Sequence, residues 1–204
     1  MSGRLCIAIM AAGAARRFEG PKLDVEFRSK RLGRHVLDAA LELETHNLVV
    51  VVGDTCPEFA REAEAEGIAM LRFNPEARLG LARSIAVAAR HAAKAGSEKL
   101  LLLLGDMPFV TPSTLRRLAG AATVGCPSAA IYPGGKAGIP VCLAADQFGD
   151  RLLLQGDRGA ASYLSTRPQC LKINVSLDEL RDIDTRTDLA ALSSRSEQRP
   201  FRSD

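Results

Sequence analysis

Two uninterrupted apolar runs constrain the fold of this 204-residue chain more than any other feature. LVVVV spans residues 48–52 and LLLLL spans residues 100–104. Neither run carries a polar residue that could face water, so each is typical of a strand buried on both faces, as in the middle of a parallel sheet. Both are far shorter than the roughly 20 apolar residues that cross a bilayer. The runs therefore favour a sheet covered by helices and give no membrane span.

Helical periodicity alternates with strand-like runs along most of the chain. This alternation predicts an α/β fold with a doubly wound sheet and a ligand crevice beyond the carboxyl ends of its strands. The length suits a single domain, which we place at residues 1–192, followed by a polar tail at 193–204 that we expect to be disordered. After the first strand, the predicted strands are 48–52, 68–73, 100–104, 129–132, 139–144, 171–175 and 181–184, and the predicted helices are 34–44, 57–66, 81–95, 111–121, 146–154, 156–165 and 185–192.

Charge and cysteine content narrow the class of protein further. The net charge is only +3, and 21 of the 27 basic residues are arginines spread along the chain, which disfavours nucleic-acid binding. The apolar start leads into a turn without a convincing cleavage site, so we expect no signal peptide and a cytoplasmic protein. Five scattered cysteines lack C-x-x-C spacing and are expected to be reduced. His35, His46 and His91 show no metal-ligand spacing and are expected to be surface or helix residues.

The first apolar strand leads into a turn of small residues within IAIMAAGAARRFEGPKL at 7–23. Small side chains from Ala11 to Ala15 let backbone N–H groups approach a ligand closely, and Arg16, Arg17 and Lys22 downstream can neutralise phosphate charge. We expect a polyanion site that binds a nucleoside triphosphate. The alternative is a tightly packed, Ala-rich helix start with arginines on its solvated face. The dinucleotide fingerprint G-x-G-x-x-G and the P-loop motif are both absent.

An aspartate follows the second apolar run, in LLGDMPFVTP. Asp106 is expected at the mouth of the crevice near the first turn, because the carboxyl ends of parallel strands meet at one edge of the sheet. Mg²⁺ prefers one or two carboxylates and leaves its other positions to water and phosphate oxygens. Asp106 with one partner therefore predicts a magnesium site. The alternative is an aspartate that caps a turn before Met107 and Pro108.

With these features in place, MAAGAARRFEGPKL resembles the L-A-A-G-x-S-x-R-M-G-x-x-K signature of the MobA-like NTP transferases. Further segments match the family in the same order. FNPEARLGLARSI resembles N-x-x-x-x-x-G-L-x-x-S, LLGDMPFVTPSTL resembles L-x-D-M-P-x-V, and GGKAGIPV resembles G-x-x-G-x-P-V. LQGDRGAASYL and DIDTRTDL resemble G-D-x-G-A-R and D-I-D-T-P-x-D. The matches run from Leu5 to about Leu192 and imply a three-layer, Rossmann-like nucleotidyltransferase fold with a mostly parallel, doubly wound sheet, a bound NTP and Mg²⁺ as cofactor.

The resemblance assigns roles residue by residue. Arg17 and Lys22 match the triphosphate-binding arginine and lysine and are expected to act in catalysis with Asp106, while Asp106 and Asp184 match metal-side carboxylates. We therefore predict that Lys22 and Asp106 face each other across one cleft with a divalent ion between them. The nucleotide-binding residues that the family implies are Ala11, Ala12, Gly13, Ala14, Asn74, Gly80 and Ser84.

Some of these positions have a structural alternative. Asn74 and Ser84 match positions near the base and ribose, but they could equally be a turn before a proline and a small residue in a packed helix. Gly138 and Asp157 match positions closer to the acceptor half of the site. The added positive charges nearby are those of Arg83 and Arg158.

The family implies transfer of a nucleoside monophosphate from an NTP to a phosphorylated acceptor, with release of pyrophosphate. The turn reads A-A-G, as in the molybdenum-cofactor cytidylyltransferases, rather than the A-G-G of the guanylyl branch, so Ala12 favours CTP. The expected acceptor is then molybdopterin carrying molybdenum, with a molybdoenzyme or its chaperone as partner. The alternatives are a sugar phosphate or another phosphorylated acceptor, and a non-catalytic nucleotide-binding module. The missing glycines disfavour a dinucleotide-binding oxidoreductase.

Several positions depart from the family pattern. Ala15 replaces a serine, Phe18 a methionine and Ile139 a histidine. Glu19 replaces a glycine and would repel phosphates unless its side chain points away. Gly20 is expected to take over the role of that glycine one position later. Full activity is therefore a matter for experiment.

Overall fold

The computed structural model of the chain describes residues 4–13, 15, 17–149 and 169–194. Its strands, in chain order, are β1 (Leu5–Met10), β2 (Glu26–Phe27), β3 (Lys30–Arg31), β4 (Asn47–Val52), β5 (Met70–Phe73), β6 (Lys99–Leu104), β7 (Ser128–Tyr132), β8 (Lys136–Ala144) and β9 (Leu171–Asn174). Seven of these strands form one sheet in the order β5-β4-β1-β6-β8-β7-β9, and β2 and β3 form a separate antiparallel pair.

Helices cover both faces of the large sheet. One apolar core contains Val36, Phe59 and Leu115, and a second core on the other face contains Ile85 and Ala89. The predicted three-layer α/β architecture is therefore confirmed. None of the described helices is both long and apolar enough to cross a membrane. The α-helices within the described residues are α1 (Leu32–Leu41), α2 (Glu58–Ala65), α3 (Leu81–Lys94), α4 (Pro112–Ala121) and α5 (Arg186–Ser194).

The two apolar runs form central strands, as predicted. β4 and β6 both pair in parallel with β1, which lies between them. Alternate side chains enter opposite cores, so Val50 and Leu101 pack on one face, whereas Val49 and Leu100 pack on the other. The chain moves outward from β1 to β4 and β5, then returns to the other side of β1 to form β6. The crevice between the carboxyl ends of β1 and β6 is therefore the topological switch point, where ligands bind in such sheets.

The first four predicted helices are found with small shifts at their ends. α4 begins as predicted, with Pro112 in its first turn and Thr111 Oγ1 accepting a hydrogen bond from Thr114 N at 3.3 Å. Glu179 Oε2 accepts hydrogen bonds from Thr111 N at 3.0 Å and Thr111 Oγ1 at 2.7 Å. These bonds fix the C-terminal segment against the loop that follows β6.

The second half of the sheet is less regular than the first. β8 is antiparallel to both β6 and β7, whereas β9 is parallel to β7. A 3-10 turn at Pro133–Gly135 joins β7 and β8 into a hairpin, and Lys136–Gly138, predicted as loop, are the first residues of β8. The sheet as a whole remains mostly parallel, as predicted.

The C-terminal third differs from the predicted secondary structure in three places. Residues 181–184 form no strand, because Ile183 N donates its hydrogen bond to Asp106 O at 3.1 Å instead of to a neighbouring strand. Ala145–Gln147 forms a 3-10 turn where helix 146–154 was expected to begin, and the remainder of that helix and all of 156–165 fall outside the described residues. α5 extends to Ser194, past the predicted start of the tail, and Ser193 Oγ donates to Leu189 O at 2.8 Å.

Candidate active site

The turn after β1 and the loop after β6 meet at the switch point. Ala11 N donates to Val51 O at 2.8 Å, and Gly105 N donates to Met10 O at 3.0 Å, so both segments are anchored to the neighbouring strands. A Cβ atom on Gly53 would lie 3.2 Å from Ala12 O. The absence of that Cβ lets the loop after β4 pack closely behind the turn.

Lys22 lies at the centre of a charged cluster in this crevice. Its ammonium group is 2.6 Å from Asp106 Oδ2 and 3.1 Å from Asp184 Oδ1, and only 11% of its side chain is exposed. Arg17 pairs with the other oxygen of Asp184 at 2.9 Å, but 77% of its side chain is exposed. Lys22 and Asp106 line one crevice, as predicted, but their side chains are in direct contact, and the divalent ion expected between them stays a prediction. The four charged residues expected from the sequence therefore lie together.

The carboxylates of the cluster are only partly compensated. Among the described residues, none donates a hydrogen bond to the buried Asp106 Oδ1, which is costly for a carboxylate oxygen in the absence of a ligand. Burial lowers the pKa of Lys22, but the charges and hydrogen bonds of Asp106 and Asp184 outweigh it, and the net pKa is raised. Burial, reinforced by the charges of Asp184 and Asp106, raises the pKa of Asp182. Asp182 is thus a third carboxylate near the site, which sequence reasoning missed although the D-I-D spacing signals it.

The C-terminal segment holds Asp184 in place. Ile183 is fully buried between the two aspartates of D-I-D and packs with Phe18 and neighbouring apolar residues. Asp188 Oδ2 accepts hydrogen bonds from Thr185 N at 2.8 Å and Asp184 N at 3.2 Å. This carboxylate fixes the turn that leads into α5.

The loop that carries Arg17 departs from the expected glycine arrangement. Glu19 has a φ of 56° and Ala15 a φ of 44°, both in the left-handed region that glycine adopts without strain. Glu19 itself is therefore left-handed, and Gly20, with a φ of 157°, also has a backbone conformation that favours glycine, so the expectation that Gly20 takes over the role of the family glycine stays a prediction. The side chain of Glu19 is exposed, whereas Phe18 is buried and fills the position of the family methionine. Ala14 and Arg16 lie outside the described residues.

Two cavities meet at the charged cluster. A cavity of about 410 Å³ is lined by most of the predicted nucleotide-side residues: Ala12, Gly13, Arg17, Lys22, Gly80, Ser84, Asp106 and Asp184. A cavity of about 660 Å³ shares Gly13, Lys22 and Asp106 and extends towards Cys56 and Arg61 at the start of α2. Ala11 lines only this larger cavity. The shared residues lie where the two halves of a ligand site would join.

Asn74 and Ser84 bond to each other beneath the smaller cavity. Asn74 is 1% exposed and its Nδ2 donates to Ser84 Oγ at 2.9 Å. Asn74 Oδ1 also accepts a hydrogen bond from Glu76 N at 3.0 Å. The amide is therefore committed to the protein and fixes the turn that runs from Asn74 to Glu76. This geometry matches the structural alternative for Asn74.

Gly138 and Ile139 of β8 both contact Tyr132. Tyr132 Oη donates to Ile139 O at 2.5 Å, and a Cβ on Gly138 would lie 2.7 Å from the tyrosine ring. Burial, together with the charges of Asp182 and Asp106, raises the pKa of Tyr132 to about 12. Arg83 pairs with Glu76 at 3.6 Å. Asp157 and Arg158, predicted near this half of the site, fall outside the described residues.

The donor set is suited to a hard cation rather than to zinc or a redox metal. Within the described residues, no group of three or more His, Cys, Asp and Glu side chains is arranged to hold a metal ion. All five cysteines are free thiols, as expected. The two carboxylates and the unpartnered Asp106 Oδ1 fit an ion that takes a few protein oxygens and completes its shell with water and phosphate.

Comparisons with known proteins identify relatives in sequence and in fold. The bifunctional protein GlmU of Nitrobacter hamburgensis is 34% identical over 132 residues, which cover 61% of this chain and 29% of GlmU. The match therefore spans less than a third of the length of that relative. A nucleotidyl transferase from Methanothermobacter superposes with a TM-score of 0.76 at 22% identity, covering 94% of this chain and 97% of its own.

A second solved structure, the molybdopterin-guanine dinucleotide biosynthesis protein A of Archaeoglobus fulgidus, has a TM-score of 0.70 at 22% identity and covers 95% of this chain and 99% of its own. These similarities establish the nucleotidyltransferase fold. The sequence model of the MobA-like NTP transferase domain matches residues 7–171, which is most of the chain. The chain therefore belongs to the MobA-like NTP transferase family.

Proposed function

We propose that this protein transfers CMP from CTP to a phosphorylated acceptor, molybdopterin carrying molybdenum, and releases pyrophosphate. The observation that carries the proposal is the cluster in which Lys22 lies between Asp106 and Asp184 at the end of the small-residue turn. Phosphoryl and nucleotidyl transfer need positioned charge more than covalent chemistry from the protein. A concentrated set of cations and carboxylates at a ligand crevice is suited to that task.

Asp106 and Asp184 would hold Mg²⁺ in this proposal. The ion would neutralise charge on phosphate oxygens as a Lewis acid. The fit rests on the buried, unpartnered Oδ1 of Asp106 and on the all-oxygen donor set.

Lys22 and Arg17 would bind the triphosphate. The buried ammonium of Lys22 is the better preorganised of the two, whereas Arg17 is exposed and can adjust to the ligand. Ala11 N already donates to Val51 O, so the backbone N–H groups of Ala12 and Gly13 are the ones that would approach the phosphates, since small side chains leave them accessible. Ala14 shares this assignment. Together these donors would stabilise charge that builds on the α-phosphate and the pyrophosphate leaving group.

The assignments of the base and of the acceptor depend on different observations. The A-A-G turn with Ala12 favours CTP, and Gly80 and Ser84 line the cavity that would take the base and ribose. Molybdopterin is favoured by the family and by the similarity to the Archaeoglobus fulgidus protein. The product would then pass to a molybdoenzyme or its chaperone in the cytoplasm. A sugar phosphate or another phosphorylated metabolite is the second candidate acceptor.

A pyrophosphate-release screen tests the proposal. CTP, GTP, ATP and UTP are each combined with molybdenum-loaded molybdopterin or with a sugar 1-phosphate, in the presence and absence of Mg²⁺. We expect the fastest release with CTP and molybdopterin, dependence on Mg²⁺, and loss of release in Asp106→Ala. Asp178→Ala serves as the control, because Asp178 is exposed and pairs only with Arg181 among the described residues.

Each other outcome of this screen has a defined meaning. A clear preference for GTP would overturn the base assignment, and turnover with the sugar phosphate alone would overturn the acceptor. Nucleotide binding without pyrophosphate release in any combination would favour the non-catalytic module.

A further inference from the structure

Lys22 occupies the space that the proposed function assigns to the metal. Its Nζ lies 2.6 Å from Asp106 Oδ2 and 3.1 Å from Asp184 Oδ1, so one ammonium group bridges both carboxylates. These two residues are the proposed metal ligands. A divalent ion bound to both carboxylate oxygens would need the position that the ammonium group of Lys22 now holds. The two cations cannot share it, because their positive charges repel strongly at such a distance.

We infer that Lys22 acts as an internal counter-ion that keeps the metal site closed until the nucleotide arrives. The inference rests on the proposed function, since it assumes that the metal binds Asp106 and Asp184. The metal must displace the ammonium group, and the displaced group needs another anion. The triphosphate supplies that anion. Metal and nucleotide therefore bind with positive cooperativity, and each raises the affinity for the other by the same factor.

The local backbone allows the side chain to move while its anchor stays fixed. Lys22 N donates to Gly20 O at 2.8 Å, and Asp24 N donates to Pro21 O at 2.9 Å, which holds the 3-10 turn. Asp24 Oδ1 also accepts a hydrogen bond from Phe59 N at 3.2 Å, so the turn is tied to α2. The lysine side chain has a flexible four-carbon stem and can swing without moving this turn.

The other groups around the cluster do not offer Lys22 an equal alternative. Asp182 acts on Lys22 through its charge but lies beyond ion-pair distance, and no further carboxylate contacts the ammonium within the described residues. Arg17 holds the second oxygen of Asp184, but it is largely exposed and can leave at little cost. Asp106 Oδ1 is already free to accept a ligand. Lys22 is thus the main competitor of the metal.

The direct test is a titration of the intact protein with Mn²⁺ in the absence of nucleotide. The electron paramagnetic resonance signal of the free ion measures how much Mn²⁺ is bound. Lys22→Met removes the competing charge and keeps a similar side-chain length. We expect this variant to bind Mn²⁺ at least about tenfold more tightly than wild type, within the usual range of coupling between sites. Lys22→Arg keeps a cation and is expected to bind Mn²⁺ as weakly as wild type. Lys30→Met removes a charge from the exposed pair with Asp38 and is the matched control.

The same titration with a CTP analogue that carries a methylene group between the α- and β-phosphates measures the cooperativity. We expect the analogue to raise the Mn²⁺ affinity of wild type, and to raise that of Lys22→Met by a clearly smaller factor. The double variant Lys22→Met with Asp106→Asn is expected to lose the tight site. Thermal unfolding of each variant establishes that it is folded.

The failures of the inference and of the proposed function are distinguishable. The counter-ion role is overturned if wild type and Lys22→Met bind Mn²⁺ with equal affinity without nucleotide and the analogue raises both affinities by the same factor. That result leaves the metal-dependent function standing. Retention of the tight site in the double variant places the metal elsewhere and also overturns the inference. No Mn²⁺ binding by any variant, with or without the analogue, overturns both.

Discussion

Polar clusters lie towards opposite ends of the same parallel strands, and they differ in how well their groups are paired. Near the amino ends of β4 and β6, Arg72 Nε donates to His91 Nδ1 at 2.8 Å, His91 Nε2 donates to Asn47 Oδ1 at 2.8 Å, and Asn47 Nδ2 donates to Ser97 Oγ at 2.9 Å. Each side chain in this amino-end network has a partner. At the carboxyl ends, Asp106 Oδ1 is buried and receives no hydrogen bond from the part of the chain that the structure describes.

This difference separates a cluster built for stability from one built for a ligand. A fully paired network joins α3 to strands β4 and β5, and each polar side chain in it already has a hydrogen-bond partner. The carboxyl-end cluster instead brings three carboxylates and two cations together and accepts a desolvation cost that a ligand would relieve. Substitutions should therefore affect activity at one end and stability at the other.

The largest effect is expected from Lys22→Met. If Lys22 acts as one preorganised donor to the triphosphate, its loss should lower kcat by about 10² to 10³-fold. Pyrophosphate release at saturating CTP and acceptor measures this value, with Lys30→Met as the control. A loss of only a few-fold would mean that the ammonium group serves folding rather than turnover.

Asn47→Ala should produce the opposite pattern. It removes the partner of both His91 and Ser97, so the unfolding free energy should fall by about 1 to 2 kcal/mol, the usual cost of leaving partly buried polar groups unpaired. Urea denaturation measures the change, and the kcat of the folded variant should equal that of wild type. Asn174→Ala on the exposed edge of β9 is the control. A fall in kcat without a loss of stability would contradict the separation of the two clusters.

The amino-end network also predicts a dependence of stability on pH. Burial and the adjacent Arg72 guanidinium lower the pKa of His91 from its usual 6.5. The unfolded chain then binds the proton more readily, so the stabilising contribution is complete above a pH of about 6.5 and is lost as the pH falls below it. Urea unfolding of wild type on both sides of this pH measures the loss. His91→Gln should lose less stability over the same interval, and an equal loss would assign the effect to other groups.

The sequence predicts best what depends on local pattern. The apolar runs of β4 and β6 are each readable alone, because burial on both faces leaves no polar position within them. The strand predicted at 181–184 fails because Ile183 N bonds to Asp106 O, a partner far away in the chain. No local pattern encodes such a contact.

The candidate site shows the same division. Family motifs bring Arg17, Lys22, Asp106 and Asp184 together correctly, but they do not reveal that Lys22 bridges both carboxylates. The amino-end network is also invisible in the sequence, since His91 is 44 positions from Asn47. Single histidines without ligand spacing give no sign of such a partner.

The smallest effect concerns a contact between two departures from the family pattern. The guanidinium of Arg186, which stands at the proline of D-I-D-T-P-x-D, lies 5.3 Å from the ring centroid of Phe18, which replaces the family methionine. This cation–π contact joins α5 to the loop that carries Arg17. At an exposed site it is worth about 0.5 to 1 kcal/mol, so Arg186→Met should raise the KM for CTP by about 2- to 5-fold and leave kcat unchanged.

Two further variants test whether Arg186 acts through Phe18. Arg186→Lys keeps a cation over the ring and should recover part of the affinity, whereas Arg181→Met in the same segment should leave KM unchanged because Arg181 pairs with Asp178 instead. In a Phe18→Leu background the effect of Arg186→Met should disappear, since no ring remains for the cation to contact. If the effect persists there, Arg186 contacts the nucleotide directly and belongs to the ligand-binding cluster rather than to its support.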